Sequence, residues 1–203
     1  DIEHGIFPYG TSSSTVAGGA CTGAGIGPTR IGKVMGVVKA YTSRVGTGPF
    51  PTELQNETGK FIAEKGMEFG TTTGRARRVG WLDLAMLKHS VQVNGLTSLI
   101  ITKADVLSGM KEVKVAVAYE LDGEQIDSFP ADMSLLERCV PVYHTLAGWP
   151  EVENINMAKT GALPPELTAY MDFVSRELNL PVEMLSVGCL LYTSPSPRDR
   201  TRS

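Results

Sequence analysis

The chain has little of what would place it in several broad classes. Three cysteines occur in 203 residues, Cys21, Cys139 and Cys189. They are odd in number, widely spaced and contain no Cys-x-x-Cys pair, which excludes a disulfide framework and a cysteine zinc site and points to a reducing, cytoplasmic compartment. His4, His89 and His144 are equally scattered, so none is read as a metal ligand. No apolar run reaches membrane-spanning length and no signal peptide opens the chain. An excess of positive charge is also missing. Nineteen Lys and Arg against twenty-two Asp and Glu give a formal net charge of −3. That argues against a general nucleic-acid binder, which must neutralise many phosphates, and leaves room for one local basic site. With 42% hydrophobic and 20% charged residues, the composition is that of an ordinary globular protein. The length suffices for a sizeable core in one domain, or in part of a larger one.

What is present is concentrated between Gly66 and Asp83. Thr71, Thr72 and Thr73 lie between Gly70 and Gly74, and Arg75, Arg77 and Arg78 follow at once. Glycines allow left-handed backbone and bring peptide N–H groups close to a ligand. Hydroxyls add short donors, and each guanidinium offers a planar fork that matches a carboxylate or phosphate. Such a loop suits a small ligand with several anionic groups. It is equally an exposed basic turn, or a phosphate-contacting patch for nucleic acid.

A second motif is Thr102-Lys103-Ala104-Asp105, after an apolar run from Leu96. An aspartate carboxylate accepts from both the N1–H and the exocyclic amine of guanine, a pattern adenine cannot offer, and a lysine stem can lie along the base. Ligands gather at strand carboxyl ends in α/β folds. The alternative is a surface lysine followed by a helix-capping aspartate. A third segment, Gly27-Pro-Thr-Arg-Ile-Gly-Lys33, has the frame of a phosphate-binding loop. Val34 stands where a magnesium-binding Ser or Thr is required, and no apolar strand precedes Gly27, so it is not read as one.

Pattern and punctuation give the expected elements. Asp1–Gly10 reads as a strand end leading into a loop, and Thr11–Gly27 as a Gly/Ser/Thr-rich loop whose hydroxyls could donate to a phosphate. A valine-rich buried strand is expected within Val34–Val45, then a Pro-punctuated loop over Gly46–Leu54. Thr58 is expected to cap a helix to Lys65 with Gly66 at C′. Asp83 is expected to cap a helix to about Val93, packed through Leu84, Leu87 and Val91 and closed by Asn94-Gly95. Val113, Val115, Val117 and Tyr119 alternate as one buried strand face, and Asp122-Gly123 makes a hairpin turn into a strand ending near Phe129. A short helix from Asp132, a strand over Val140–Thr145, a helix from Pro164-Pro165 to Asn179 and a strand over Val182–Val187 complete the reading. Cys189–Ser203 has two prolines, three arginines and no period; it resembles translated sequencing-adapter read-through and is expected to be disordered, a natural basic tail being the competing reading.

Three blocks occur together and in order: Thr11-Ser-Ser-Ser-Thr-Val-Ala-Gly-Gly19, Gly48-Pro-Phe-Pro-Thr-Glu-Leu54 and Gly70–Asp83. Jointly they resemble the adenylosuccinate synthetase family, and the resemblance extends over residues 1–188 as the C-terminal portion of a single domain. It implies an α/β fold, a mixed and parallel sheet with flanking helices plus a β-hairpin, related to P-loop GTPases but lacking its N-terminal half. The implied activity is GTP-dependent ligation of IMP and L-aspartate to adenylosuccinate in AMP synthesis, by a homodimer in the full-length protein, with no nucleic-acid or membrane partner. The resemblance assigns Thr11, Val45 and Arg75 to IMP. Thr71, Thr72, Thr73, Gly74, Arg75, Ala76 and Arg77 fall to aspartate. Arg77, Lys103, Ala104, Asp105, Ser186, Val187 and Gly188 fall to GTP. Ser14 departs from the family's usual asparagine. The catalytic aspartate and histidine, the phosphate loop and the Mg2+ ligands are expected outside this sequence, so no catalytic residue is assigned and the chain alone is expected to be inactive. Two other classes stay open: a non-catalytic guanine-nucleotide-binding module, and a nucleic-acid-binding piece using Arg75, Arg77 and Arg78.

Overall fold

A computed structural model describes residues 13–70, 74–151 and 163–187. The expectations for Asp1–Gly10 and for Cys189–Ser203 lie outside the described residues. The frame is a three-stranded parallel sheet in the order β1-β5-β9, formed by β1 (Met35–Lys39), β5 (Ser98–Thr102) and β9 (Val182–Leu185). Helices α3 (Leu84–Asn94) and α5 (Pro165–Leu178) pack on one another and serve as connections into β5 and β9. Because all three strands run the same way, their carboxyl ends meet on one edge.

A second sheet is built on β6 (Glu112–Leu121). It pairs antiparallel with β7 (Glu124–Ile126) and with β8 (Val140–Ala147), and parallel with the short β4 (Leu82–Asp83). Asp122 and Gly123 both take positive φ, 53° and 88°, the conformation a two-residue type I′ hairpin turn demands. The expected second strand is shorter than its apolar pattern and ends at Ile126. A third, two-stranded sheet joins β2 (Thr42–Arg44) to β3 (Arg78–Gly80).

Helix boundaries follow their caps. The Asp83 side chain accepts from Met86 N, and Gly95 closes α3 with φ 57°, as the sequence implies. In α2 (Glu57–Lys65) the cap is Asn56, which accepts from Gly59 N, rather than Thr58. An amide oxygen one residue before the first turn reaches the free N–H groups that a hydroxyl inside it cannot. Gly66 follows α2 at φ −79°, and the left-handed residue is Met67 at φ 47°. A short helix α1 (Gly19–Ala24) lies within the segment read as a loop, and α4 (Met133–Leu136) starts after Asp132 as expected.

The expected Val34–Val45 strand is two strands in different sheets. The chain leaves the parallel sheet after Lys39 at the buried pair Ala40-Tyr41 and enters the β2–β3 ladder. The clean alternation expected for β6 also breaks: the pairing with β8 shifts between Ala116 and Ala118, so Ala116 is buried beside Val115 while Val117 is only half-buried. Such a bulge re-aims the side chains beyond it.

The core gathers between the parallel sheet and α5, with Tyr41, Leu99, Ile101, Leu107, Val113, Val115, Leu167 and Val174 within it. Two buried aromatics tie it to the functional edge. Tyr170 donates its hydroxyl to Ala40 O at 2.8 Å, and Trp149 Nε1 donates to Ala104 O at 3.1 Å.

Candidate functional site at the carboxyl ends of the parallel strands

Lys103, Ala104, Asp105, Ser186 and Val187 come together where β5 and β9 end. Directly after β5, Lys103 turns left-handed (φ 58°) and Ala104–Leu107 forms one turn of 3-10 helix. Lys103 Nζ donates to Gly66 O at 2.6 Å. Ala104 is fully buried, with its carbonyl held by Trp149. Asp105 is therefore not a helix cap, and its Oδ1 is buried with no hydrogen-bond partner among the described residues. A buried carboxylate oxygen left without a donor is costly unless something supplies one. Ser186 N donates to Ile101 O at 2.8 Å, which brings Ser186 and Val187 beside the Lys103–Asp105 turn. Gly188 lies outside the described residues.

The central loop is closed at its base. Phe69 and Ala76 form an antiparallel bridge, Gly70 N donates to Arg75 O, and Gly74 N donates to Gly70 O, both at 2.8 Å. Gly74 sits at φ 64°, using the freedom only glycine has there without strain. Gly74, Arg75 and Ala76 are exposed. Thr71, Thr72 and Thr73, like Thr11, lie outside the described residues. Val45 is exposed and follows the Arg44–Arg78 pair of the β2–β3 ladder, so that the next positions in register are Val45 and Arg77. Val45 also lines a cavity of about 600 Å³ with Thr42, Phe50, Met86, Phe129 and Leu136.

The two inner arginines divide. Arg78 is a structural tie: Nε and Nη2 bond both oxygens of Glu53 at 2.7 and 2.6 Å, and Nη1 reaches Gly48 O at 2.8 Å. The Arg78 hydrogen bond holds the Glu53 carboxyl below the usual range. A guanidinium so occupied is unavailable to a nucleic-acid backbone, which weakens the basic-patch alternative. Arg77 instead gives one contact, Nη1 to Glu68 Oε2 at 3.1 Å, while its Nε is buried without a partner among the described residues.

Glu68 is a site residue that sequence reasoning left without a role. It is 1% exposed and accepts from Lys39 Nζ at 2.6 Å, from the Tyr41 hydroxyl and from Arg77. Burial pushes its carboxyl up, but the Lys39, Tyr41 and Arg77 contacts outweigh that and leave it below the usual range. Burial first, then the Glu68 bond, push the Tyr41 hydroxyl well above its ordinary value. The only sequence signal was a single carboxylate inside a run of cations. Lys33, the lysine of the discarded phosphate-loop frame, pairs with Glu183 at 2.5 Å, and the residues before it form a 3-10 turn (Pro28–Arg30).

Comparison with known proteins decides the family. The profile described as adenylosuccinate synthetase matches residues 1–190. The chain belongs to the adenylosuccinate synthetase family. It is 50% identical over 188 residues to the adenylosuccinate synthetase of Gloeobacter violaceus, covering 93% of this chain and 42% of that protein. It is also 50% identical to that of Carboxydothermus hydrogenoformans, covering 93% and 44%. The solved structure of fully ligated adenylosuccinate synthetase from Plasmodium falciparum superposes with a TM-score of 0.85 at 38% identity, over 93% of this chain and 45% of that one. The fold is thus the mixed α/β, P-loop-like fold of adenylosuccinate synthetases, and the chain spans less than half the length of the relatives it matches. Among the described residues no group of three or more His, Cys, Asp or Glu could hold a metal ion. No helix among them is long and apolar enough to cross a membrane.

Proposed function

We propose that this chain supplies the guanine, IMP and aspartate subsites of a GTP-dependent ligase that joins IMP to L-aspartate through a new C–N bond, giving adenylosuccinate, GDP and phosphate. The observation that carries the reading is Asp105, set at the carboxyl end of β5 with a buried Oδ1 that has no partner among the described residues, within a chain of this family. Ionised, its carboxylate accepts the two adjacent N–H donors of guanine, while Lys103 and Ser186–Val187 flank the base; Gly188 is assigned to the same nucleotide by the family resemblance alone. Arg77 faces a carboxylate of aspartate with the part of its fork that Glu68 leaves open. Thr71–Thr73, Gly74, Arg75 and Ala76 complete the loop around that substrate. Arg75 and Val45, with Thr11 on the phosphate, face IMP. GTP first phosphorylates the 6-oxygen of IMP, and the aspartate amine then displaces the phosphate. The groups that move protons in those steps, and the Mg2+ ligands, belong to other parts of a full-length enzyme. On this reading the 203-residue chain binds nucleotide without turnover, and the full-length enzyme works as a cytoplasmic homodimer. Cys189–Ser203 is read as foreign to the family on its composition, and residues 191–203 lie beyond the family match, which stops at residue 190.

The test is base selectivity. In a full-length enzyme carrying these residues, Asp105→Asn replaces a double acceptor by an amide with one acceptor and one donor. The kcat/KM for GTP should fall roughly 10- to 100-fold, since hydrogen bonds to a charged group contribute about 1.5–3 kcal/mol, and xanthosine triphosphate should gain. An unchanged preference for GTP in competition would remove the guanine assignment. Guanine binding that persists with no dependence on aspartate or IMP would favour a non-catalytic binding module instead.

A further inference from the structure

The Gly66-Met67-Glu68 segment after α2 touches both arms of the site. Its first carbonyl, Gly66 O, holds Lys103 Nζ at 2.6 Å. Its last residue holds Arg77 twice: Glu68 O accepts from Arg77 N at 2.8 Å, and Glu68 Oε2 accepts from Arg77 Nη1 at 3.1 Å. Between them Met67 is exposed and left-handed, at φ 47°, a conformation that non-glycine residues adopt at a cost. A Cβ on Gly66 would lie 2.5 Å from the Tyr41 hydroxyl and 2.7 Å from Ile62 O. The segment therefore has little room to shift.

Glu68 differs from an ordinary structural partner in how it engages its arginine. Nearby, Arg78 and Glu53 form a two-point pair that uses both carboxylate oxygens. Glu68 spends Oε1 on Lys39 and Tyr41, and offers Arg77 only Oε2. A fork held at one nitrogen is fixed in place yet still presents other N–H donors to a second carboxylate. Lys39, at the carboxyl end of β1, is itself held by Ser43 Oγ at 2.7 Å. The carboxylate is thus clamped from the opposite side.

We propose that Glu68 is a positioning residue: it presets Arg77 for the substrate carboxylate, and its segment ties that arm to Lys103 of the guanine site. The inference rests on the ligase reading above, and it adds that the two arms are registered to one another through three residues of backbone. Loss of the Glu68 charge frees the Arg77 fork and leaves Lys39 and Arg77 as mutually repelling neighbours, so the aspartate subsite loses its order first. Lys103, held by a backbone carbonyl, is disturbed less.

The experiment is steady-state kinetics on a full-length enzyme carrying these residues, with each substrate varied in turn, for Glu68→Gln and Arg77→Leu. The expected result for Glu68→Gln is an aspartate KM raised about tenfold or more, a GTP KM raised less, and kcat nearly held, the pattern of lost binding rather than lost chemistry. If Arg77→Leu raises the aspartate KM and Glu68→Gln leaves it within about twofold, the positioning role is wrong while the ligase reading stands. If neither variant moves it, the aspartate assignment of the loop fails and takes this inference with it. Should Glu68→Gln not fold, the double variant Glu68→Gln/Lys39→Met removes one cation with the anion, and the same KM criterion decides. An independent readout is side-chain NMR of the 203-residue chain. The Arg77 guanidinium should rotate slowly in the parent and freely in the Glu68 variant; slow rotation in both overturns the proposal.

Discussion

Arg77 and Arg78 are adjacent and equally charged, and in the sequence nothing separates them. In the fold Arg78 faces Glu53 and the Gly46–Gly48 backbone, whereas Arg77 faces the buried Glu68. Arg78 opens β3 and Arg77 immediately precedes it, so the division follows only once the start of β3 is known. Glycines show the same limit. Gly70 and Gly74 both flank the threonines, but among the described glycines of that loop only Gly74 takes positive φ. Gly80 has ordinary φ and is fixed by space instead: a Cβ there would lie 2.3 Å from Thr52 O and 2.9 Å from Phe50 Cε2. Gly80→Ala should accordingly destabilise the chain by about 1–3 kcal/mol, the usual range for overpacking, through the β3 ladder that carries Arg78. Gly32, where a Cβ meets nothing within 4 Å, is the control and should change stability by less than about 0.5 kcal/mol. Urea denaturation midpoints check both. Equal midpoints for Gly80→Ala and the parent would mean that the Thr52 loop yields freely.

At the scale of elements, local punctuation carried well and sheet membership did not. Asp83, Gly95, Asp122-Gly123, Asp132 and Pro165 each mark a boundary that their own chemistry requires. The split of Val34–Val45 into β1 and β2 was hidden because Tyr41, Thr42 and Val45 prolong the strand-favouring run past Lys39, and only the buried Ala40-Tyr41 corner separates the two strands. The bulge in β6 was hidden for a similar reason, since Ala116 and Ala118 are small enough for either face. Asp83 joins cap to core. Its Oδ1 accepts from Met86 N at 3.1 Å and its Oδ2 accepts from the buried Tyr119 hydroxyl at 2.5 Å. Asp83→Ala removes both acceptors. A lost cap costs about 0.5–2 kcal/mol and a stranded buried hydroxyl about 1–3 kcal/mol, so a loss of roughly 2–4 kcal/mol is expected. Asp83→Asn keeps one acceptor oxygen and should lose less. Thermal and urea unfolding check the order of the two variants; an alanine variant no worse than the asparagine one would show that the Tyr119 bond contributes nothing.

For the whole molecule, the carboxylates that hold the site together also set its response to acid. The guanine motif and the central loop were legible because their residues are contiguous in sequence. Glu68, Lys39 and Tyr41 were not, because a shared carboxylate between β1, α2 and β3 exists only after folding. Glu68 and Glu53 both sit below the ordinary glutamate value of 4.5 in the fold, Glu53 because Arg78 bonds it and Glu68 because its three partners outweigh burial. A carboxyl depressed in the native state binds fewer protons there than in the unfolded chain at the same pH. Its stabilisation is therefore complete above 4.5 and is lost as pH falls through the depressed native value. Asp83 works in the opposite sense: burial raises it above 3.8 against the Tyr119 and Met86 bonds, so its contribution is present in acid and fades as pH rises through its native value. Glu151, paired with Lys65, is also depressed, but its side chain is 66% exposed and solvent screens it. Two glutamates fixed in largely buried pairs against one aspartate should give an acid-labile fold. Urea midpoints should stay nearly level from pH 7 to about 5 and then drop as Glu53 and Glu68 take up protons. Glu53→Gln should start lower at neutral pH, having lost the Arg78 pair already, and should fall less steeply below pH 5. Parallel acid limbs for the parent and this variant would mean that the Glu53–Arg78 pair does not control the transition.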